Sequence, residues 1–556
     1  MSTLDYWVIA IFSVGILVAG LSMSDRKADM KSYFGASGAL PWWMSGLSLY
    51  MGFFSAGTFV VWGAIAYEQG WVAVTIQWTM AIAGFLIGKW IAPRWRQTGV
   101  LTAAEFLQKR FGTKVHKFYT YIFLLMSFAY NGAFLYPVAK LVNVSTGISS
   151  EYAIILFGIM AVLYTTSGGL WAVIVTNVLQ FVVLTAAVLI VVPLAFDRVG
   201  GVNTFIQEAP EGFFNLTGGE YSLWFIFAFG LYNMIFIGGN WAYVQRYTSV
   251  PSKRDAKKVG YTFGWLYLIS PVIWMLPPML YRFINVDLAG MENEGAYLMM
   301  CKEVLPQGIM GLMITGMIFA TTDSVNASLN VSSAVFTNDV YRRLYPKAKD
   351  QSLMWVARLS TLLFGIITVG VALMVPAMGG IVEVVLSIGA LTGVALYGPG
   401  IWALFSKRQT AFSILFTSIV SLTVNLFFKF LAPSLLNIKL GRMEETVLGV
   451  FLPLVLLLLF ELRYYRKPIT VVEKSSVIEI GVEEEWERKY LETANQSGKQ
   501  QSKAAIKTVG CALLGVGSMI FILGLISSIG RVSVLSVSGI IILLGLMCIY
   551  PFKRTK

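Results

Sequence analysis

Fifteen apolar stretches, each near the roughly 20 residues that a helix needs to cross a hydrocarbon core, divide this chain of 556 residues. They lie at 6–23, 40–66, 71–92, 118–143, 151–167, 170–195, 221–241, 258–283, 304–335, 355–377, 383–405, 410–431, 444–462, 507–528 and 533–551. Such a chain cannot leave backbone polar groups unpaired in lipid, and continuous helices pair them internally. Composition agrees. Hydrophobic residues make up 57% and charged residues 13%, about half the charged share of a soluble domain. Disorder and a collagen-like repeat are excluded on the same grounds. The expected fold class is an all-α polytopic membrane protein with about fifteen transmembrane helices.

The 42 Lys and Arg against 29 Asp and Glu give a net charge of +13. Cation-rich cytoplasmic loops explain this excess, so no nucleic-acid partner is expected. Segments 93–117, 242–257 and 336–354 carry clusters of cations, while 196–220 and 284–303 are acidic. Alternation through fifteen spans puts the N-terminus outside and the C-terminus in the cytoplasm, in a cell (inner) membrane. The first apolar run has no basic n-region and is expected to be a retained span. A tight turn is expected at Ser167-Gly168-Gly169. Segment 463–506 reads as a solvated cytoplasmic loop. No soluble catalytic domain is expected, and the chain is not read as an enzyme. Cys301, Cys511 and Cys548 have no metal-ligand spacing, no cofactor is implied, and His116 reads as a loop residue.

Polar residues inside spans face cavities or partners, and three spans concentrate them. Met51-Gly52-Phe53-Phe54-Ser55-Ala56-Gly57-Thr58 suggests an interrupted helix with exposed carbonyl oxygens, or close small-residue packing. Span 221–241, with Gly230, Asn233, Gly238, Gly239 and Asn240, is a second Gly-broken segment five spans later. Paired interruptions of this kind point to a transporter site built on inverted repeats. The third span runs Ala320-Thr321-Thr322-Asp323-Ser324-Val325-Asn326-Ala327 and onward. Helical spacing places Ala320, Asp323, Ser324 and Ala327 on one stripe, an oxygen-rich face suited to a small hard cation. Asp323 could instead pair with Lys140 or Arg358. Lys140 either snorkels to the interface or faces a cavity, where it would favour an anionic group. Glu383 is expected to be solvated at a helix end.

At these residues the chain resembles the sodium:solute symporter family. Thr166-Ser167-Gly168-Gly169-Leu170-Trp171-Ala172-Val173 through Thr176-Asn177 to Gln180 resembles its T-x-G-G-L-x-A-V-x-x-T-D-x-x-Q signature, and Gln245-Arg246 resembles its Q-R loop. Leu305-Pro306-Gln307-Gly308 and Phe336-Thr337-Asn338-Asp339 resemble the ends of its sodium-site helix. The resemblance implies a LeuT-like five-plus-five inverted-repeat bundle working by alternating access, with sodium as coupling ion. It implies an extra helix and loop at 1–39, repeats at 40–195 and 221–405, two added helices at 410–462, the loop at 463–506 and an accessory pair at 507–556. Sodium ligands implied by register are the Met51, Phe54 and Ala320 carbonyls and the Asp323 and Ser324 side chains. The family has Ser or Thr where Asp323 stands, so a proton-coupled cycle is the alternative. The signature's Asp is Asn177 here, and its partner hydroxyls fall on Asn326 and Ala327. A second cation site is therefore expected to be absent or remodelled, with one sodium per cycle. Substrate contacts implied are Thr58, Asn233 and Phe236, with Lys140 from the residue reading. The expected partners are sodium, a small organic solute and the bilayer. A transporter-like sensor acting through 463–506 is a further alternative.

Overall fold

The computed structural model of the protein describes residues 1–22, 38–100, 103–164, 170–345, 348, 350–465 and 483–550. The Ser167-Gly168-Gly169 turn lies outside them, as do the side chains of Asp323, Asn326 and Ala327. The described residues form helices and no strand beyond one isolated bridge. By length and apolarity, ten helices can cross a membrane, or eleven if one bent pair is a single span.

Helix α1 covers Thr3–Leu21. The next span is broken: α2, Trp42–Met51, ends at a non-helical stretch, and the chain resumes as a π-turn at Thr58–Trp62 and α3, Gly63–Gln69. Then come α4, Val72–Leu86, α5, Thr113–Thr146, α6, Ser150–Tyr164, and α7, Leu170–Val199. Helices α8, Leu223–Gly239, and α9, Trp241–Thr248, meet at Asn240 with a 62° bend. They are followed by α10, Lys253–Trp274, α11, Leu276–Ile284, and the long α12, Ile309–Val335. Helices α13, Asp350–Met374, α14, Ile381–Phe405, α15, Ala411–Leu426, α16, Arg442–Tyr464, α17, Glu483–Ile526, and α18, Arg531–Ile549, complete the chain.

These helices sort into two packed groups. Helix α4 lies against α8 and α10, and α10 also packs on α2. Glycines let α4 and the π-turn that follows it, Ile87–Ile91, touch α10. A Cβ at Gly260 would stand 2.5 Å from the Gly88 Cα, and one at Gly84 would stand 2.8 Å from the Gly264 Cα. Two small-xxx-small pairs thus face each other, a close-approach device of membrane helices. The second group is α5, α6, α12 and α13. It has a small core of its own, Leu124 on α5, Val325 and Leu329 on α12 and Phe364 on α13.

Three expectations are corrected. Segment 463–506 is not loop throughout: from Glu483 it is helix, continuous with the apolar span after it. Its Glu, Lys, Gln and Ala content has high helix propensity, and polarity alone did not reveal that. His116 is in the first turns of α5 and is buried. Glu383 is not simply solvated. It pairs with Lys429 at 3.0 Å and with Arg442 at 3.0 Å. Lys429 also holds Glu445 at 2.8 Å, and Arg442 holds Glu220 at 3.1 Å. This network ties the start of α14 to the ends of the two added helices.

Helix α1 reaches the oxygen-rich helix directly. The Asp5 carboxylate, 3% exposed, accepts the Gly308 N–H at 2.7 Å and the Gly311 N–H at 3.1 Å. These are amides at the N-terminus of α12, which have no acceptor inside the helix. A Cβ at Gly311 would stand 2.4 Å from the Asp5 carbonyl oxygen, so glycine permits the approach. Asp5→Ala is expected to lower stability by about 2–3 kcal/mol, the worth of charge-assisted bonds lost from buried donors, with Asp5→Asn recovering part. Thermal unfolding of the purified protein checks this.

Candidate functional site

The break after α2 is built by side chains that replace backbone acceptors. In an unbroken helix the Ser55, Ala56 and Gly57 amides would donate to Met51, Gly52 and Phe53. Here Ser55 N donates to Thr58 Oγ1 at 3.2 Å, Ala56 N to Thr321 Oγ1 at 2.9 Å and Gly57 N to Ser55 Oγ at 3.2 Å. The Phe54 carbonyl loses its usual partner too, because Thr58 N turns to Ser55 O at 3.0 Å. Of the carbonyls so released, Phe53 O accepts the Thr58 hydroxyl at 2.8 Å. Oxygen atoms thereby become available in mid-span with the amides still satisfied.

Thr321 connects this break to α12. Its hydroxyl accepts from Ala56 N and donates to Met317 O at 2.9 Å, and the residue is fully buried. It adjoins Ala320, whose carbonyl accepts from Ser324 Oγ at 3.2 Å. Met51 and Ser324 line one cavity. So Met51, Phe54, Ala320 and Ser324 are brought to one seam between the two helix groups. Thr321 sat inside the polar run of the sequence, but its role there needed the partner amide of Ala56 to be seen.

Two cavities flank the seam. One, of about 140 Å³, lies beside α9 and is lined by Met51, Asn131, Asn177, Arg246, Ser324 and Ser328 among others. The other, a central chamber of about 110 Å³, is lined by Ser55, Thr58, Asn233 and Phe236 among others. Tyr130, Phe134, Phe236 and Tyr243 line both and form the wall between them. Phe236 is the centre of that wall, with ring centroids of Tyr232, Tyr397, Tyr243, Tyr130 and Phe53 at 5.3, 5.5, 5.9, 6.0 and 6.2 Å. Ala242, on α9, is exposed, and Trp62 and Phe229 of the chamber are buried.

The remaining sequence-derived residues fall as follows. Thr58 and Asn233 line the chamber; Asn233 Nδ2 donates to Thr79 Oγ1 at 2.9 Å, tying α8 to α4. Asn177 lines the α9 cavity and donates to Ser48 Oγ at 3.0 Å. Lys140 lines neither cavity: its Nζ donates to Met291 O at 3.0 Å. It belongs to a clasp in the acidic segment 284–303. There Glu294, 3% exposed, accepts Ile381 N at 2.8 Å and the Tyr136 hydroxyl at 3.3 Å. Burial pushes the Glu294 carboxyl above its usual range, against the Ile381 N–H, the Lys140 charge and the Tyr136 hydroxyl. The sequence reading did not single out Asn131, and knew Arg246 only as part of a loop motif.

Broken helices facing each other across a chamber are the architecture of LeuT-like secondary transporters, and the fold is of that all-α, five-plus-five class. The chain belongs to the sodium:solute symporter family, whose profile matches residues 33–420. It is similar to the sodium/glucose cotransporter of Vibrio parahaemolyticus, 28% identical over 478 residues, covering 78% of this chain and 87% of that one. It is also similar to the sodium/sialic acid symporter of Proteus mirabilis (strain HI4320), 26% identical over 440 residues, covering 75% and 88%. The solved substrate-bound outward-open state of a Na⁺-coupled sialic acid symporter shares the fold, with a TM-score of 0.68 at 22% identity over 83% of this chain and 98% of that one.

Thr321→Val keeps the side-chain volume and strips the Ala56 amide of its acceptor, so stability is expected to fall by about 1–3 kcal/mol, with Thr321→Ser close to the parent by thermal unfolding. A second expectation follows from Glu294. Its folded pKa lies above the unfolded value of about 4.3, so folding disfavours the charged form. Stability linked to this group is fully present below the unfolded pKa and is lost as pH rises through the folded one. A pH series of unfolding midpoints should show this slope in the parent and lack it in Glu294→Gln.

Proposed function

We propose that the protein carries a small organic solute across a cell membrane together with sodium, one ion per cycle, by alternating access. The observation that carries the reading is the break after α2. Carbonyls of Met51 and Phe54 are released in mid-span, and the Thr321 hydroxyl pins the break to α12 beside Ala320 and Ser324. Carbonyl and hydroxyl oxygens suit a hard monovalent cation, and Asp323, next to Ser324 in the sequence, is the acid that the family resemblance assigns to the ion. By register with the family signature, Asn177, Asn326 and Ala327 fall where a second cation would need an acid and hydroxyls, which supports the single ion.

A cation held between the first broken helix and α12 bridges the two helix groups. It favours whichever arrangement keeps both sets of oxygens in reach, and so biases the conformational equilibrium. The chamber between the breaks, with Thr58, Asn233 and Phe236, is the solute site. The aromatic wall through Phe236 separates it from the α9 cavity. That cavity, beside the cation-rich segment 242–257, is the cytoplasmic release path if the cation-rich loops face the cytoplasm. Relatives named for glucose and for sialic acid support a sugar or sugar acid as solute.

Reconstitution into liposomes tests the reading. Uptake of labelled glucose or sialic acid is expected to require an inward sodium gradient, with a sodium Hill slope near one. Ser324→Ala and Asp323→Asn are each expected to raise the sodium concentration for half-maximal uptake about tenfold, equivalent to about 1.4 kcal/mol of ion binding. A Hill slope near two would overturn the single-ion reading. Uptake driven by a pH gradient without sodium, and lost in Asp323→Asn, would assign protons as the coupling ion.

A further inference from the structure

We propose that Arg246 and Asn131 form a carboxylate-binding subsite in the α9 cavity, taken by the acid group of the solute on its release path. The inference rests on the symport reading and narrows its solute to a carboxylate. Among the described residues lining the two cavities, Arg246 is the one ionised side chain. It is 9% exposed. Its Nη1 donates to Ala242 O at 2.8 Å and to Gln245 Oε1 at 3.2 Å, both neutral acceptors. Its Nε has no acceptor, and among the described residues no carboxylate pairs with it. A guanidinium stays charged in any protein site, and a buried charge without a counter-charge is costly. The cavity therefore holds a fixed positive charge with donor capacity to spare.

Asn131 is a second, separate observation. It is 1% exposed, lines the same cavity from α5, and both Nδ2 and Oδ1 lack partners. The cavity of about 140 Å³ exceeds the volume of several waters at about 30 Å³ each, so a carboxylate fits with part of its carbon chain. Water can satisfy an amide, but a desolvated cation selects an anion. The planar fork of a guanidinium favours a carboxylate over a spherical ion. Ala242, which is exposed, contributes to the cavity lining and gives a position for a labelling probe.

The test uses the full chain carrying Ala242→Cys, with Cys511→Ser and Cys548→Ser; Cys301 is buried and stays. Maleimide labelling is timed in sodium-free potassium buffer at constant ionic strength. The probes are lactate against propane-1,2-diol, gluconate against glucose, and chloride and phosphate as inorganic controls. Lactate and gluconate are expected to slow labelling while their neutral counterparts do not. The half-protecting concentration is expected to rise about tenfold or more in Arg246→Gln, as loss of a charge-assisted bond implies, and to return part way in Arg246→Lys. Asn131→Asp keeps its size and should weaken protection by like charge; with Arg246→Lys it carries the test if Arg246→Gln elutes aggregated. Equal protection by neutral counterparts, equal protection by chloride or phosphate (an adventitious ion only), no protection by any carboxylate, or protection indifferent to these variants would overturn the proposal. Sodium-driven uptake by the parent, measured in parallel, separates the two readings. Uptake without Arg246-dependent protection overturns the subsite alone. Protection without sodium-driven uptake overturns the symport reading instead.

Discussion

Hydrocarbon offers no hydrogen bonds, so every backbone donor in a span needs an acceptor from the protein. The break between α2 and α3 meets that demand with hydroxyls. Thr58, Thr321 and Ser55 take the three amides that a continuous helix would have given to Met51, Gly52 and Phe53. The exchange is asymmetric: donors are satisfied and carbonyl oxygens are left over. A cation site in mid-membrane would draw on that surplus, and among the described residues it arises without a cluster of buried acids. Thr321 sets where the surplus lies, because its hydroxyl belongs to α12 and not to the broken helix.

That cross-link gives the two helix groups a mechanical meaning. Helices α2, α4, α8 and α10 pack together through glycine contacts, while α5, α6, α12 and α13 share a separate small core. The seam between them holds the released carbonyls, the Ser324 hydroxyl and both cavities. Contacts across such a seam can rearrange at lower cost than contacts inside a close-packed core. Helix α1, outside the implied repeats, fixes the N-terminus of α12 through Asp5. Under the symport reading, an ion at the seam acts on a helix already anchored at one end, so its binding energy goes into the position of the broken helix.

The all-α membrane class was legible because hydropathy over twenty residues is a strong signal; among the described residues helix lies within each of the fifteen apolar stretches, and ten or eleven helices are long and apolar enough to cross a membrane. The break at 52–55 was legible from Gly52, Ser55, Gly57 and Thr58, residues that weaken a helix or compete with its bonds. The bend at Asn240 was legible from its glycines. What the sequence hid depended on partners far along the chain. Thr321 takes its role from Ala56, 265 residues away. Lys140 is drawn to Met291 and the Glu294 clasp, and no local pattern shows which of a loop or a cavity will hold a lysine at a span end. The helix from Glu483 was masked by its polarity, since hydropathy reports burial and not backbone conformation.

Arg246 and the released carbonyls set opposite signs of potential at one cavity, which Met51 and Ser324 line together with the guanidinium. Under the symport reading, a sodium ion leaving the seam would meet a fixed positive charge that discourages its return, and a carboxylate would meet the same charge as an attractor. In a medium of low effective dielectric, each cargo charge alone is expensive to hold, and each lowers the cost of the other when both are present. Symport of a cation with an anion thereby needs less from the protein than symport of a cation with a neutral sugar. Burying a guanidinium with no carboxylate partner among the described residues makes physical sense under the proposal that the partner arrives with each transport cycle.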